Sequence, residues 1–142
     1  MSQATYIGGI LQVKAYRILQ YSVSQEVKKF DLNPTQWFIL GQIKHQEMVK
    51  AADLANLLKV EAPLITSLTD DLVAKGLIRK VANQEDKRVK SLQLTPKADQ
   101  LIPTIEAKLQ DKLNELLQGV DSQELNAYHK VLETIVKNGQ LA

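Results

Sequence analysis

The stretch "NQEDKRVKSLQLT", residues 83 to 95, sets Glu85, Asp86, Lys87 and Arg88 side by side and then alternates Val89, Lys90, Ser91, Leu92, Gln93 and Leu94. A guanidinium at the tip of a short ribbon suits the negative potential of a nucleic-acid groove. A carboxylate two residues earlier can hold it through a charge-assisted hydrogen bond. The same charged ribbon also serves to keep an exposed sheet edge from pairing with neighbours. The basic character is local. Residues 79 to 90 carry five bases (Arg79, Lys80, Lys87, Arg88, Lys90) against two acids (Glu85, Asp86), whereas residues 96 to 142 carry five bases against seven acids, and the net charge is only +2.

Other chemistries are poorly served. The chain has no cysteine, which removes disulfides, thiolate catalysis and cysteine zinc sites. His45 and His129 are far apart with no acid at metal spacing, and read as surface or helix-end residues. No nucleophile with a base, glycine-rich phosphate loop or spaced carboxylate pair appears, so neither an enzyme nor a cofactor is expected. No apolar run reaches the ~18 residues of a membrane helix, and the start lacks a cleavable signal layout, so a cytoplasmic location away from membranes is expected. At 142 residues with 44% hydrophobic and 24% charged side chains, the composition is that of a single globular domain spanning 1–142.

The elements that must position the ribbon are mostly helical. Ile7, Ile10, Leu11, Ile18 and Leu19 give a long amphipathic helix from about Ala4 to Lys29, interrupted in pattern by Gly8 and Gly9. "NPTQ" starts a second, with Asn33 as cap, Pro34 in the first turn and Gln36 as capping-box partner; Trp37, Leu40 and Ile43 point inward. Residues 51 to 77 read as two helices broken near Lys59 and Val60, packed through Leu54, Ala55, Leu58, Val60, Ile65 and Leu68 and ended by Gly76. Lys59 stands where such a turn usually has glycine; a left-handed backbone there would cost about 1 kcal/mol.

"LIRKVA" and "VKSLQL" form two strands around a tip at 83 to 88. Thr95 and Pro96 open the next helix, whose seam is Leu101, Ile105, Leu109, Leu113, Leu116 and Leu117 and which Pro103 should kink or restart. Asp121 with Glu124 opens the last, lined by Leu125, Tyr128, Leu132 and Ile135. The fold class is therefore mainly α with a small β-hairpin wing. A winged helix-turn-helix at about 33–95 is flanked by end helices at about 4–29 and 96–138, whose apolar seams call for a homodimer. In such a frame Arg88 would enter a minor groove while the preceding helix lies in the major groove.

"DKR" followed by "LQLT", preceded by "LVAKGLIRK" and "ADLANLL" and by "NPTQWFIL" upstream, resembles the multiple-antibiotic-resistance regulator (MarR) family; "VEAPLITSLTDDLVAKGLI" is similar to its SlyA-like branch. The resemblance implies a homodimeric transcription regulator on pseudo-palindromic double-stranded DNA, most often a repressor, with many members released by small aromatic or phenolic anions. It puts the wing arginine on Arg88, its aspartate on Asp86, and the recognition helix on about Ala62 to Lys75, with Pro63, Leu64, Thr66 and Ser67 at the groove-facing start. Ser67 departs from the arginine that relatives often carry, and Asp70 and Asp71 follow. Leu64 is expected on a thymine methyl or, one helix turn off this register, in the core. Thr66 and Ser67 are expected to reach bases or phosphates, or to form a solvated helix start. Affinity would lean on Arg79, Lys87, Arg88 and Lys90. Tyr16 and Arg17 fall where the resemblance puts the wall of an effector pocket, or form a solvated or dimer-facing pair; Trp37 is a core residue or a wall of the same pocket. The acidic recognition helix also admits a rival, a winged helix that binds protein; neutralising Asp70 and Asp71 together would then weaken the partner, but would strengthen binding to DNA.

Overall fold

The computed structural model describes residues 5–140. Helix α1 (Thr5–Lys28) runs through Gly8 and Gly9; Ala4, its expected start, lies outside the described residues. Then come α2 (Pro34–Gln46), β1 (Val49–Lys50), α3 (Ala51–Leu58), α4 (Ala62–Ala74), β2 (Ile78–Ala82), β3 (Lys90–Leu94), α5 (Pro96–Leu116) and α6 (Ser122–Gly139). The chain divides into two compact units, one ending at Leu109 and the other beginning at Gln110.

In the first unit, local sequence rules decide the helix ends. Asn33 Oδ1 accepts from the Gln36 N–H at 2.8 Å while Gln36 Oε1 accepts from the Asn33 N–H at 3.1 Å, closing the capping box of α2. Helix α4 stops one residue before the expected glycine cap: Lys75 is the cap, and Gly76 follows at φ 73. The Leu77 N–H donates to the Leu72 carbonyl at 3.0 Å and the Gly76 N–H to that of Val73 at 2.9 Å, the paired bonds of a Schellman ending. Thr95 caps α5, its Oγ1 accepting from the Ala98 N–H at 3.3 Å.

The sheet differs from the expected hairpin. It has three antiparallel strands in the order β1-β3-β2, because Val49 and Lys50 pair with Leu92 and Ser91 on the free edge of β3. Two residues are too few to show strand alternation in a sequence. Helix α5 also differs, since it does not restart at Pro103 but continues unbroken to Leu116. The proline removes one intrahelical bond, to the Asp99 carbonyl. Burial of Ala98, Ile102, Ile105 and Leu109 along one face holds α5 against the core.

That core gathers Ile39, Leu40 and Ile43 of α2, Leu54 of α3, Ile65 and Leu72 of α4, and Ile78 and Leu92 of the sheet. Val27 of α1 closes it. Fully burying an aliphatic side chain of this size stabilises by about 1.5–3 kcal/mol, so this cluster fixes α4 relative to the sheet. In the second unit α6 begins with a closed capping box between Asp121 and Glu124. Its expected lining is largely uncovered: Tyr128, Leu132 and Ile135 are exposed and Leu125 is half-buried.

Candidate nucleic-acid interface

Helices α3 and α4 meet through a turn at Lys59, whose φ of 54 and ψ of 44 are left-handed. The turn holds because the Val60 N–H donates to the Ala55 carbonyl at 3.1 Å and Leu58 and Val60 pack on the core. This geometry buries Ile65, Thr69 and Leu72 of α4 and turns Pro63, Leu64, Thr66 and Ser67 outward. Leu64 is 50% exposed, so it is a surface residue in this register and not a core one. Thr66 Oγ1 donates back to the Ala62 carbonyl at 3.1 Å.

The two acids of α4 are both engaged. Asp71 lies 2.7 Å from Lys75 Nζ and accepts from Gln36 Nε2 at 2.7 Å. The hydrogen bonds from Lys75 and Gln36 hold its carboxyl below the usual carboxylate range, against the opposing effect of burial. For Lys75, burial alone would push the ammonium down, but the hydrogen bond and charge of Asp71, with Asp31 adding to them, hold it above its ordinary value. Lys75 also donates to the Asp31 carbonyl, and Asp70 pairs with Lys80 of β2. The helix is therefore far less acidic in effect than in sequence. Asp71 thereby takes on a structural role beside its charge, and Lys75 and Lys80 each offset one of the two aspartates.

At the wing, Asn83 Oδ1 accepts from the N–H groups of Glu85 and Asp86 at 2.8 and 3.4 Å, folding the tip back on itself. Asp86 Oδ1 then accepts from the backbone N–H of Arg88 at 3.0 Å and from its Nε at 3.2 Å. The guanidinium is oriented yet remains in solvent, its side chain 91% exposed. Lys87 and Lys90 are exposed beside it in sequence.

Arg79 is placed otherwise. It pairs with Gln93 near the base of the hairpin and lines a recess with Lys44, Glu47 and Asp99. Neighbouring Lys80 takes the opposite strand face, as alternation requires, and reaches Asp70. Sequence reasoning missed the roles of Lys80 and Asn83, and for Gln36, identified there as the capping-box partner, it missed the bond to Asp71. Only Asn83, two residues before Glu85 in a turn, leaves a local signal.

Trp37 is buried and lines a cavity of about 470 Å³ with Gly41, Lys44, His45, Ile102, Pro103 and Glu106. Tyr16 and Arg17 are not among the lining residues; both are exposed on α1. His129 is exposed on α6.

This winged helix-turn-helix has many solved counterparts. The model of the MarR family matches residues 32–90. The crystal structure of transcriptional regulator PA3341 is similar over 94% of this chain and 98% of its own, with 32% identity and a TM-score of 0.81. The chain belongs to the MarR family. Its fold also matches the transcriptional regulator BldR from Sulfolobus solfataricus, with 28% identity, TM-score 0.76, and 93% and 100% of the two chains covered. At 21% identity and TM-score 0.77 it matches a mutant MarR from E. coli complexed with operator DNA, over 89% of this chain and 91% of that one. Arg88 and α4 of this MarR-family chain thus belong to a winged-helix lobe of a transcription regulator.

Proposed function

We propose that this MarR-family regulator acts in the cytoplasm as a homodimeric repressor of pseudo-palindromic operators. In this reading the N-terminal half of α4 enters the major groove, and Arg88, with Lys87 and Lys90, reaches the adjacent minor groove and phosphates. The observation that carries it is the Asp86 carboxylate holding an otherwise solvated Arg88 at the wing tip through two hydrogen bonds. An oriented guanidinium loses less rotamer freedom when it meets an anionic surface. Arg79, exposed near the base of the hairpin beside Lys44, Glu47 and Asp99, contributes less than the bases of the tip.

The effector of this reading is a small aromatic anion in the α2/α5 cavity, for whose ring Trp37, Ile102 and Pro103 supply apolar surface and for whose charge Lys44 and His45 supply donors against the one acid, Glu106. Tyr16 and Arg17 belong to the exposed face of α1 and serve the dimer better than the pocket. An anion that fits one separation of the two recognition helices better than another would release DNA by shifting populations.

Selection of the full chain against a randomised duplex pool at moderate salt tests the core of the proposal. Enrichment of an inverted repeat with half-sites about one helical turn apart is expected. A flat pool would sink it.

A further inference from the structure

The exposed residues of α4 are Ala62, Pro63, Leu64, Thr66 and Ser67 in its N-terminal half and Asp70, Asp71, Val73 and Ala74 after them, and none of these is basic. The arginines of the chain are Arg17, Arg79 and Arg88, which lie on α1, on β2 and at the wing tip. The one lysine at the end of α4, Lys75, is committed to Asp71 and Asp31. A guanine edge is read by two donors from arginine or lysine, and an adenine edge by asparagine or glutamine. This face offers neither. Asp70 could accept from a cytosine amino group but is held by Lys80. The Thr66 hydroxyl donates its hydrogen bond to the Ala62 carbonyl, so in this rotamer it offers a base only an acceptor and its methyl.

What remains is the Ser67 hydroxyl, which can donate or accept and so does not by itself distinguish one base from another, and an apolar set of Pro63, a half-exposed Leu64 and the Thr66 methyl. Within the major groove the only apolar partner is the 5-methyl of thymine. Resting on the DNA-binding reading above, we propose that α4 reads thymine methyl groups and not guanine edges, so that the positions of thymines in each half-site set the specificity of this chain.

Replacing thymine by uracil removes the 5-methyl from the major groove and leaves the minor-groove edge intact, which separates α4 from the wing. The experiment takes the best duplex from a selected pool, exchanges the half-site thymines for uracil one at a time, and in parallel exchanges guanines for 7-deazaguanine. Affinity of the full chain should fall about fourfold for each contacted methyl lost and should not respond to 7-deazaguanine. Leu64→Ala should erase the preference for thymine over uracil at one position of each half-site. Loss of affinity with 7-deazaguanine and indifference to uracil would overturn the inference while leaving DNA binding intact. Failure to bind any duplex above the non-specific level would remove the DNA-binding reading and this inference together.

Discussion

Asp71 and Lys75, one turn apart at the C-terminal end of α4, form an ion pair at 2.7 Å that ties this helix to α2 and to the turn before it. Gln36 donates to Asp71 while its own carbonyl caps α2, and Lys75 reaches the backbone of Asp31 before that helix. Gln36 is only 3% exposed. From the other side Lys80 of β2 holds Asp70. The orientation of α4 is thus set by apolar burial beneath it and by a polar clamp along its C-terminal half, away from Leu64 and Thr66.

Asp71→Asn should therefore destabilise the fold and not strengthen DNA binding. With the side chain half-exposed and screened, the loss is about 0.5–1 kcal/mol. The pH dependence has a definite sign. The carboxyl lies below its ordinary 3.8 when folded, so its contribution is present above that value and is lost as pH falls through the folded pKa. Lys75 lies above 10.5, so its contribution is complete below that and is lost as pH rises further. Urea denaturation of both proteins should show a constant gap between about pH 5 and 9 that closes below about pH 4. A gap that persists at acid pH would dissociate it from this pair.

If the wing meets DNA as proposed, Arg88 and Asp86 should contribute to binding separably. Arg88→Ala removes a charge at the groove and should lower the slope of log K against log salt by about one unit. Asp86→Ala removes an acid, which on charge alone would improve binding. Because it also frees the guanidinium, affinity should instead fall about two- to tenfold, and an increase would show that charge outweighs orientation at the wing.

Many of the helix ends and the wing were legible in the sequence because their signals are local. The Asn33–Gln36 and Asp121–Glu124 boxes are pairs three residues apart, and the tip between β2 and β3 is marked by its charges. Strand β1 was not legible, since Val49 acquires its identity from Leu92, far along the chain. The partners of Asp70 and Asp71 were hidden in the same way: only Lys75 is near in sequence, whereas Gln36 and Lys80 come from other elements. Pro103 illustrates the reverse case, in which four buried residues of α5 outweigh a residue that locally disfavours helix. For Tyr128, Leu132 and Ile135 the periodicity identified an apolar face but could not say what covers it.

At Lys59 the left-handed backbone is carried by a residue with a Cβ. Lys59→Gly should raise stability by up to about 1 kcal/mol, less whatever glycine adds to the freedom of the unfolded chain. A denaturant midpoint that moves up with an unchanged m-value would support this. A fall would mean that the lysine side chain contributes more than its backbone costs.

Trp37 is the single tryptophan of the chain, so its fluorescence reports on one wall of the α2/α5 cavity. Titration with a hydroxybenzoate should quench it saturably, and Lys44→Ala should weaken that titration. Quenching that stays linear in concentration would argue against a bound anion.

The apolar face of α6 offers the most direct test of assembly. Ile135 is 56% exposed in a single chain, so an acidic replacement there costs a monomer almost nothing. If a second copy covers this face, Ile135→Asp buries an unpaired carboxylate in the interface and should dissociate it. Sedimentation should then move from a dimer toward the 15.9 kDa of one chain, with thermal stability of the DNA-binding lobe retained. Affinity for a two-half-site operator should fall by about 10²–10⁴, because the second half-site is no longer held at high effective concentration. Affinity for an isolated half-site should not change. A variant that stays dimeric would place the contact between copies elsewhere, and one that becomes monomeric without losing operator affinity would show that the two half-sites are bound independently.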